Sequence, residues 1–237
     1  MRKMIEMGEM MVELAAQVRE VERDSKGWPT GLNDLQDETG VPSMLWVAGS
    51  LPVGVPRVAI VGSRAATREG VRLAAELAKD LAGSGIDIVS GGAFGVDSAA
   101  HMGALTAGRT VAVMPGGLDR LYPVAHGELF KQISMSGALV SQYPLGVSPA
   151  RFRFLERNAL IAALADVVVV VEAGMRSGSM NTARRAARLG RPVGVIPGPI
   201  GLATHAGSNT LIHDGAATLI RDADDVRELL ERRPQDV

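Results

Sequence analysis

The chain has 237 residues, 46% of them hydrophobic and only 3% aromatic, with no cysteine and a formal net charge of −1. That length suits one large α/β domain with short appendages, or two small domains, and so few aromatics leave Val, Ala, Leu and Ile to build the core. Disulfides and thiolate–metal sites are excluded, no apolar run approaches the roughly 20 residues that cross a bilayer, and the basic start Met1-Arg2-Lys3, followed by Glu6 and Glu9, does not read as a secretory signal.

Residues 3–24 read as a helix, with Met4, Met7, Met11, Leu14, Ala15 and Val18 recurring at three- and four-residue steps. Residues 1–27 are therefore assigned to an N-terminal helix. Residues 28–56 read as an extended connector without periodicity, holding a short edge strand around Met44-Leu45-Trp46-Val47. From Arg57 onward strands and helices alternate. The spacing predicts strand 58–61, helix 68–82, strand 86–89, helix 96–107, strand 110–114, helix 125–133 and strand 138–140. It continues with helix 154–164, strand 166–171, helix 180–189, strand 193–196, a short helix 209–213 and strand 217–220. Residues 221–237 form a closing helix and tail. The strand at 166–171 carries five consecutive valines, as a central strand covered on both faces requires. The expected fold is α/β: an extended Rossmann-like, mostly parallel sheet with helices on both faces, whose core spans 57–220.

Glycine-rich turns follow these strands. Gly62-Ser63-Arg64 follows the first core strand, Ser90-Gly91-Gly92-Ala93-Phe94-Gly95-Val96-Asp97 the second, Gly116-Gly117 the third, and Arg176-Ser177-Gly178-Ser179 the valine strand. In a parallel sheet such turns collect at one edge, where backbone N–H groups and helix N-termini form an anion site. Arg64 and Arg176 add guanidinium forks suited to phosphate. The combination points to a polyanion or a nucleotide phosphate and away from hydride or acyl transfer. The net charge argues against nucleic acid, yet residues 57–220 are net basic while both ends are net acidic.

Other residues admit a structural reading beside a functional one. Asp97 suits the cap of the helix that it opens, and His101, four residues on, shares its face. Their spacing fits acid–base chemistry, but no third ligand accompanies them and no metal site is assigned. Asp119 is assigned to ordering its loop, and Tyr122 to either packing or base stacking. Arg157 and Asn158 lie in a stretch that interleaves arginine with Phe152 and Phe154, a pattern serving either phosphates and bases or an amphipathic helix start. Glu172 is read as organising Arg157 or Arg176 by a salt bridge, with a general base as the alternative.

Taken in order, these segments resemble the DNA-processing protein A (DprA/Smf) family over residues 28–220. The resemblance rests on Gly62-Ser63-Arg64, Ser90 through Asp97 with His101, Gly116-Gly117-Leu118-Asp119 with Tyr122-Pro123, Arg157-Asn158, Glu172-Ala173 with Ser177-Gly178-Ser179, and Pro197-Gly198. It implies a cytoplasmic homodimer that binds single-stranded DNA without a required base sequence and presents it to a RecA-type recombinase, with no cofactor and no catalytic residue. It places the arginine matching Arg64 in the DNA pocket, with the glycine loops and Arg157 at or near it. Two positions depart from the family pattern. The basic residue that many relatives carry after Tyr-Pro is here Val124, and the usual Arg-Asn-Arg is here Arg157-Asn158-Ala159. The first departure implies a lost phosphate contact and the second a lost positive charge. Without the helical and winged-helix domains that flank many relatives, the sequence reads as a minimal core, as a diverged version such as one on a mobile element, or as a piece of a longer protein. The other reading is a nucleotide-binding sensor or a nucleotide hydrolase of the related Rossmann group, with Glu172 or Asp97 as base. Against the hydrolase, Gly116-Gly117 is followed by Leu118-Asp119, unlike the phosphoribohydrolases of that group.

Overall fold

The protein is described by a computed structural model covering residue 8 and residues 11–37 and 40–232. The early part of the expected first helix, residues 38–39 and the tail 233–237 lie outside the described residues.

Among the described residues nine strands form one sheet: β1 (Arg19–Glu22), β2 (Met44–Gly49), β3 (Arg57–Val61), β4 (Asp87–Ser90), β5 (Thr110–Val113), β6 (Ala138–Ser141), β7 (Val167–Val170), β8 (Val193–Val195) and β9 (Thr218–Leu219). Their order is β1-β2-β6-β5-β4-β3-β7-β8-β9. From β6 through β9 all neighbours are parallel, while β1 and β2 are antiparallel additions beside β6. The valine run occupies β7 beside β3, in register from Val58↔Val167 to Val61↔Val170. Side chains alternate across a strand. Val167 and Val169 accordingly enter one apolar layer with Val58 and Ile60, while Val168 and Val170 enter the opposite layer with Ala59 and Val61.

Helices cover both faces. One layer holds α2 (Arg68–Gly83), α3 (Val96–Leu105) and α8 (Ala223–Glu231); the other holds α5 (Arg151–Leu164) and α6 (Gly178–Arg188). Helical residues 11–16, named α1, pack with α4 (Gly127–Ser136) on a smaller apolar cluster, and α7 (Ala206–His213) follows β8. The expected α/β architecture is thus present. Boundaries move by a few residues where caps decide them. The α6 helix opens at Gly178 because the Ser177 hydroxyl accepts a hydrogen bond from Met180 N.

Three expectations before Arg57 are corrected. The helix expected over 3–24 gives way to β1, where Val21 alone turns inward and pairs with Leu45. Cross-strand pairing with β2 overrides the helical spacing, and Glu20 accepts a hydrogen bond from Trp46 Nε1 at 3.1 Å. The strand expected at the edge, β2, lies inside β1. The connector is not loose, because Thr30–Asp37 forms a 3-10 helix that buries Leu32 and Leu35. Their three-residue spacing matches the three-residue turn of that helix. Gly31 permits the approach: a Cβ there would lie 2.4 Å from the Ala163 carbonyl at the end of α5.

Because Leu32 is fully buried in the main core, Leu32→Ala is expected to cost about 2–5 kcal/mol in urea unfolding. A loss under about 0.5 kcal/mol would show that this segment is not part of the cooperative unit.

Candidate functional site

Successive strands run outward from β3 through β4, β5 and β6, and the chain then returns to the other side of β3 as β7. The reversal parts the loops after β3 and β7 and opens a crevice at the carboxyl ends of the strands. A cleft of about 980 Å³ lies there. Its floor is the turn Gly62-Ser63-Arg64 after β3 and Ser177-Gly178-Ser179 at the start of α6. Its walls are Phe154, Arg157 and Asn158 on α5, with Asp97 from α3, and Arg151 and Tyr122 nearer the rim.

Close approach between loops builds this floor. A Cβ at Gly62 would lie 2.5 Å from a Val96 methyl, and one at Gly95 would lie 2.3 Å from the Ser63 carbonyl oxygen. Gly95 also holds φ at +77°, which favours glycine. The first two glycine loops therefore lock together, and Val96 N donates to Ser63 O at 3.2 Å. Ser63 Oγ accepts from Ala65 N at 3.2 Å, shaping the turn that presents Arg64. Across the cleft, Asn158 Nδ2 donates to the Gly178 carbonyl at 3.3 Å, so α5 braces the Ser-Gly-Ser turn. The start of α6, Gly178 and Ser179, thus lines the cleft, and the first N–H groups of a helix lack intrahelical partners.

Arg157 is 5% exposed, and its Nη1 lies 3.7 Å from Asp97 Oδ2. The guanidinium occupies space that only glycine leaves open at position 91, where a Cβ would fall 1.0 Å from Nη1. Its buried Nε has no hydrogen-bond partner among the described residues. Burial pushes the Asp97 carboxyl above the usual carboxylate range, while Arg157 and the Ala93 N–H pull it back. Burial likewise lowers Arg157, Asp97 opposes that, and the nearby charge of Arg64 adds to it. Both arginines lie near the Phe154 ring, with guanidinium carbons 5.4 Å (Arg64) and 5.9 Å (Arg157) from its centroid.

The cleft brings together Gly62, Ser63, Arg64, Asp97, Arg157, Asn158, Ser177, Gly178 and Ser179. The other residues singled out in the sequence lie around or behind it. Ser90 is buried and donates to Ile60 O at 2.6 Å. Gly92 gives way to the Phe130 ring, which a Cβ would meet at 2.5 Å. Phe94 is half exposed and sits edge-on to His126, whose Nδ1 hydrogen-bonds with Gly92 O at 2.9 Å. Gly116 and Gly117 serve a different neighbour: their missing Cβ atoms admit the Val147 and Pro144 carbonyls, and Asp119 Oδ1 accepts from Gly146 N at 2.8 Å. Arg176 is exposed and does not line the cleft.

His101 is fully buried. The Thr110 hydroxyl donates to Ile88 O, so it accepts from His101 Nδ1–H at 2.7 Å, and burial drives the imidazole pKa down to about 3. Among the described residues no group of three or more His, Asp and Glu side chains is placed to hold a metal ion.

Three further expectations change here. Asp97 does not cap α3, whose N-cap is Gly95 without a side-chain hydrogen bond; its carboxylate accepts from Ala93 N instead. Glu172 organises a loop, but its partners are neither Arg157 nor Arg176. Its carboxylate accepts from both the backbone N–H and the hydroxyl of Thr67, the cap of α2, and Oε1 lies 3.7 Å from His205 Nε2. The partners are 105 positions away in sequence or more than 30 downstream, beyond any local pattern. Ala159 is fully buried in the apolar core, so position 159 faces the sheet and not the cleft. Val124, at the position where the resemblance implied a basic residue, is 54% exposed. Sequence reasoning passed over Thr182 and Ile161, which line the cleft one turn beyond Ser179 and Arg157. Helical spacing from those two residues was the available signal.

The family model for DNA recombination-mediator protein A matches residues 20–231. The chain belongs to the DNA recombination-mediator protein A family. A Mycobacterium tuberculosis relative is 49% identical over 193 residues, covering 80% of this chain and 49% of the relative. The solved structure of DNA processing protein A from Streptococcus pneumoniae superposes with a TM-score of 0.84 at 36% identity, covering 92% of this chain and 76% of that one. DNA processing protein A from Helicobacter pylori, whose structure is described for its single-stranded DNA binding mode, gives 0.80 at 32% identity, covering 92% and 97%. The chain spans about half the length of the first curated relatives it matches. In this member of the DNA recombination-mediator protein A family, the matched region contains the whole cleft.

The buried Arg157–Asp97 pair yields a pH-dependent expectation. Arg157→Met leaves a buried carboxylate without its cation, costing about 3–5 kcal/mol in urea unfolding at pH 7. A carboxyl raised in the folded state contributes its full stability below its unfolded pKa and loses it as pH rises through the folded value. The deficit relative to wild type should therefore narrow as pH falls toward about 4, near the unfolded aspartate pKa. A deficit equal at both pH values would remove Asp97 as its cause.

Proposed function

We propose that the cleft binds single-stranded DNA through its phosphates, without a required base sequence. The observation that carries this reading is the convergence of Arg64, Arg151 and Arg157 with the N-terminus of α6 at the switch point of the sheet. Oriented N–H groups and guanidinium forks recognise phosphate oxygens, which repeat along a strand regardless of sequence. The H. pylori relative supports the same ligand class. In this reading the protein is a recombination mediator acting as a homodimer in the cytoplasm. It presents the strand to a RecA-type recombinase and uses no cofactor. No helix among the described residues is long and apolar enough to cross a membrane.

No covalent step belongs to this reading. A nucleotide hydrolase would need Glu172 or Asp97 as base. Glu172 is 1% exposed, held by Thr67, and outside the cleft; Asp97 is committed to Arg157 and Ala93 N. A nucleotide sensor would use the same phosphate contacts but take a mononucleotide in preference to a strand.

Fluorescence anisotropy with a labelled single-stranded oligonucleotide, duplex and mononucleotide competitors, and a salt series tests the proposal. Binding should favour the single strand, and log affinity should fall linearly with log salt. Arg64→Ala should weaken binding about tenfold or more, as loss of a charge-assisted hydrogen bond does, and reduce the salt slope by about 0.7. No binding at low salt, or preference for the mononucleotide, would overturn it. The mediator step is checked separately: the protein should speed recombinase filament formation on strands precoated with single-strand-binding protein.

A further inference from the structure

The chain holds few aromatic residues: four Phe, two Tyr and two Trp. Trp28 and Phe130 are buried in the core, and the Tyr143 hydroxyl donates to Glu156. Phe94, Phe152 and Tyr122 are about half exposed, and of these three Tyr122, 45% exposed, is the one that lines the cleft. Its ring, apolar with a polar hydroxyl tip, therefore offers surface inside the cleft, where the rings of Phe94 and Phe152 do not.

Its surroundings give that exposure a direction. Tyr122 meets Phe154 edge to face, with centroids 5.5 Å apart and planes at 79°. Phe154 is already engaged, since Arg64 and Arg157 both lie within 6 Å of its ring. The sequence of contacts therefore runs from a phosphate-directed guanidinium, through a filled aromatic ring, to an aromatic ring with exposed surface. Phosphate and base of one nucleotide are joined through a sugar and need recognition groups side by side on this scale.

We infer that Tyr122 is the platform on which an unpaired base stacks while Arg64 holds a neighbouring phosphate. The inference rests on the single-stranded DNA reading and deepens it, because it assigns how strands are distinguished. Every base has a π-face, so stacking is tolerant of sequence. In a duplex those faces are covered by neighbouring bases, leaving Tyr122 nothing to bind. The cleft then senses whether a base is free, and its arginines sense only that a backbone is present.

The test compares labelled oligo-dT with an abasic oligonucleotide of equal length, which has the same phosphates and no bases. Wild type should bind oligo-dT about 5- to 150-fold more tightly, the range expected for base–aromatic stacking. Tyr122→Ala should lose most of that advantage and bind the abasic strand as wild type does. Tyr122→Phe should keep it. Tyr122→Leu preserves apolar packing on Phe154 without a ring and should behave as the alanine variant. Arg64→Ala should weaken both ligands. Equal losses on both ligands for Tyr122→Ala and Tyr122→Leu, or no loss on oligo-dT, would overturn the stacking role while leaving the single-stranded DNA reading intact. Failure of wild type to bind either strand would overturn that reading and this inference with it.

Discussion

A buried guanidinium held against a buried carboxylate is the constraint around which the cleft is arranged. Arg157 comes from α5 and Asp97 from α3, helices on opposite faces of the sheet. Their meeting at the strand ends ties the two layers together above β4. Neither charge tolerates burial alone, so each fixes the other, and the glycine loop must pass without a side chain at Gly91. With α5 fixed, Asn158 meets the Gly178 carbonyl and Phe154 stands beside Arg64. The cleft is organised by charges largely withdrawn from solvent, and the exposed arginines act on a surface that this pair has already set.

A second set of contacts holds the same loops from the other side. Glu172 at the end of β7 grips Thr67 at the start of α2, and Gly70 leaves room for its carboxylate, which a Cβ would meet at 2.4 Å. The turn carrying Ser63 and Arg64 is therefore held at one end by Gly62 against Val96 and at the other by Thr67 against Glu172. Both anchors are made of protein groups alone. A floor formed in this way requires little ordering when a ligand arrives, which favours affinity without added contacts.

The sequence disclosed the architecture where patterns were long and repeated. The valine run of β7, the alternation of strand and helix after Arg57, and a glycine turn after each of several strands together placed the crevice and most residues that line it. Before Arg57 the reading failed for identifiable reasons. The β1 strand has one inward residue, Val21, and its spacing from Leu14 and Val18 continues a helical pattern. The 3-10 segment buries Leu32 and Leu35, a single three-residue step too short for a helical pattern to register. Within the site, glycine showed that something comes close without showing what. At Gly91 it is Arg157, whereas at Gly116 and Gly117 it is the loop around Pro144 and Val147. Glu172 and Ala159 illustrate the same limit, since only the fold decides which way a side chain at a strand end or on a helix faces.

The outer strand has a consequence of another kind. One side of β1 is paired with β2; on its other side, among the described residues, the sheet stops. An open row of backbone donors and acceptors invites a further strand, and in a chain so rich in Val, Leu and Ile that invitation leads toward aggregation. Here the edge carries Arg19, Glu20 and Glu22, all turned to solvent. A strand arriving from a second copy would have to strip water from these charges. The short acidic sequence that mimics a helix thus acts as a guard, ending the sheet with a border that is costly to extend.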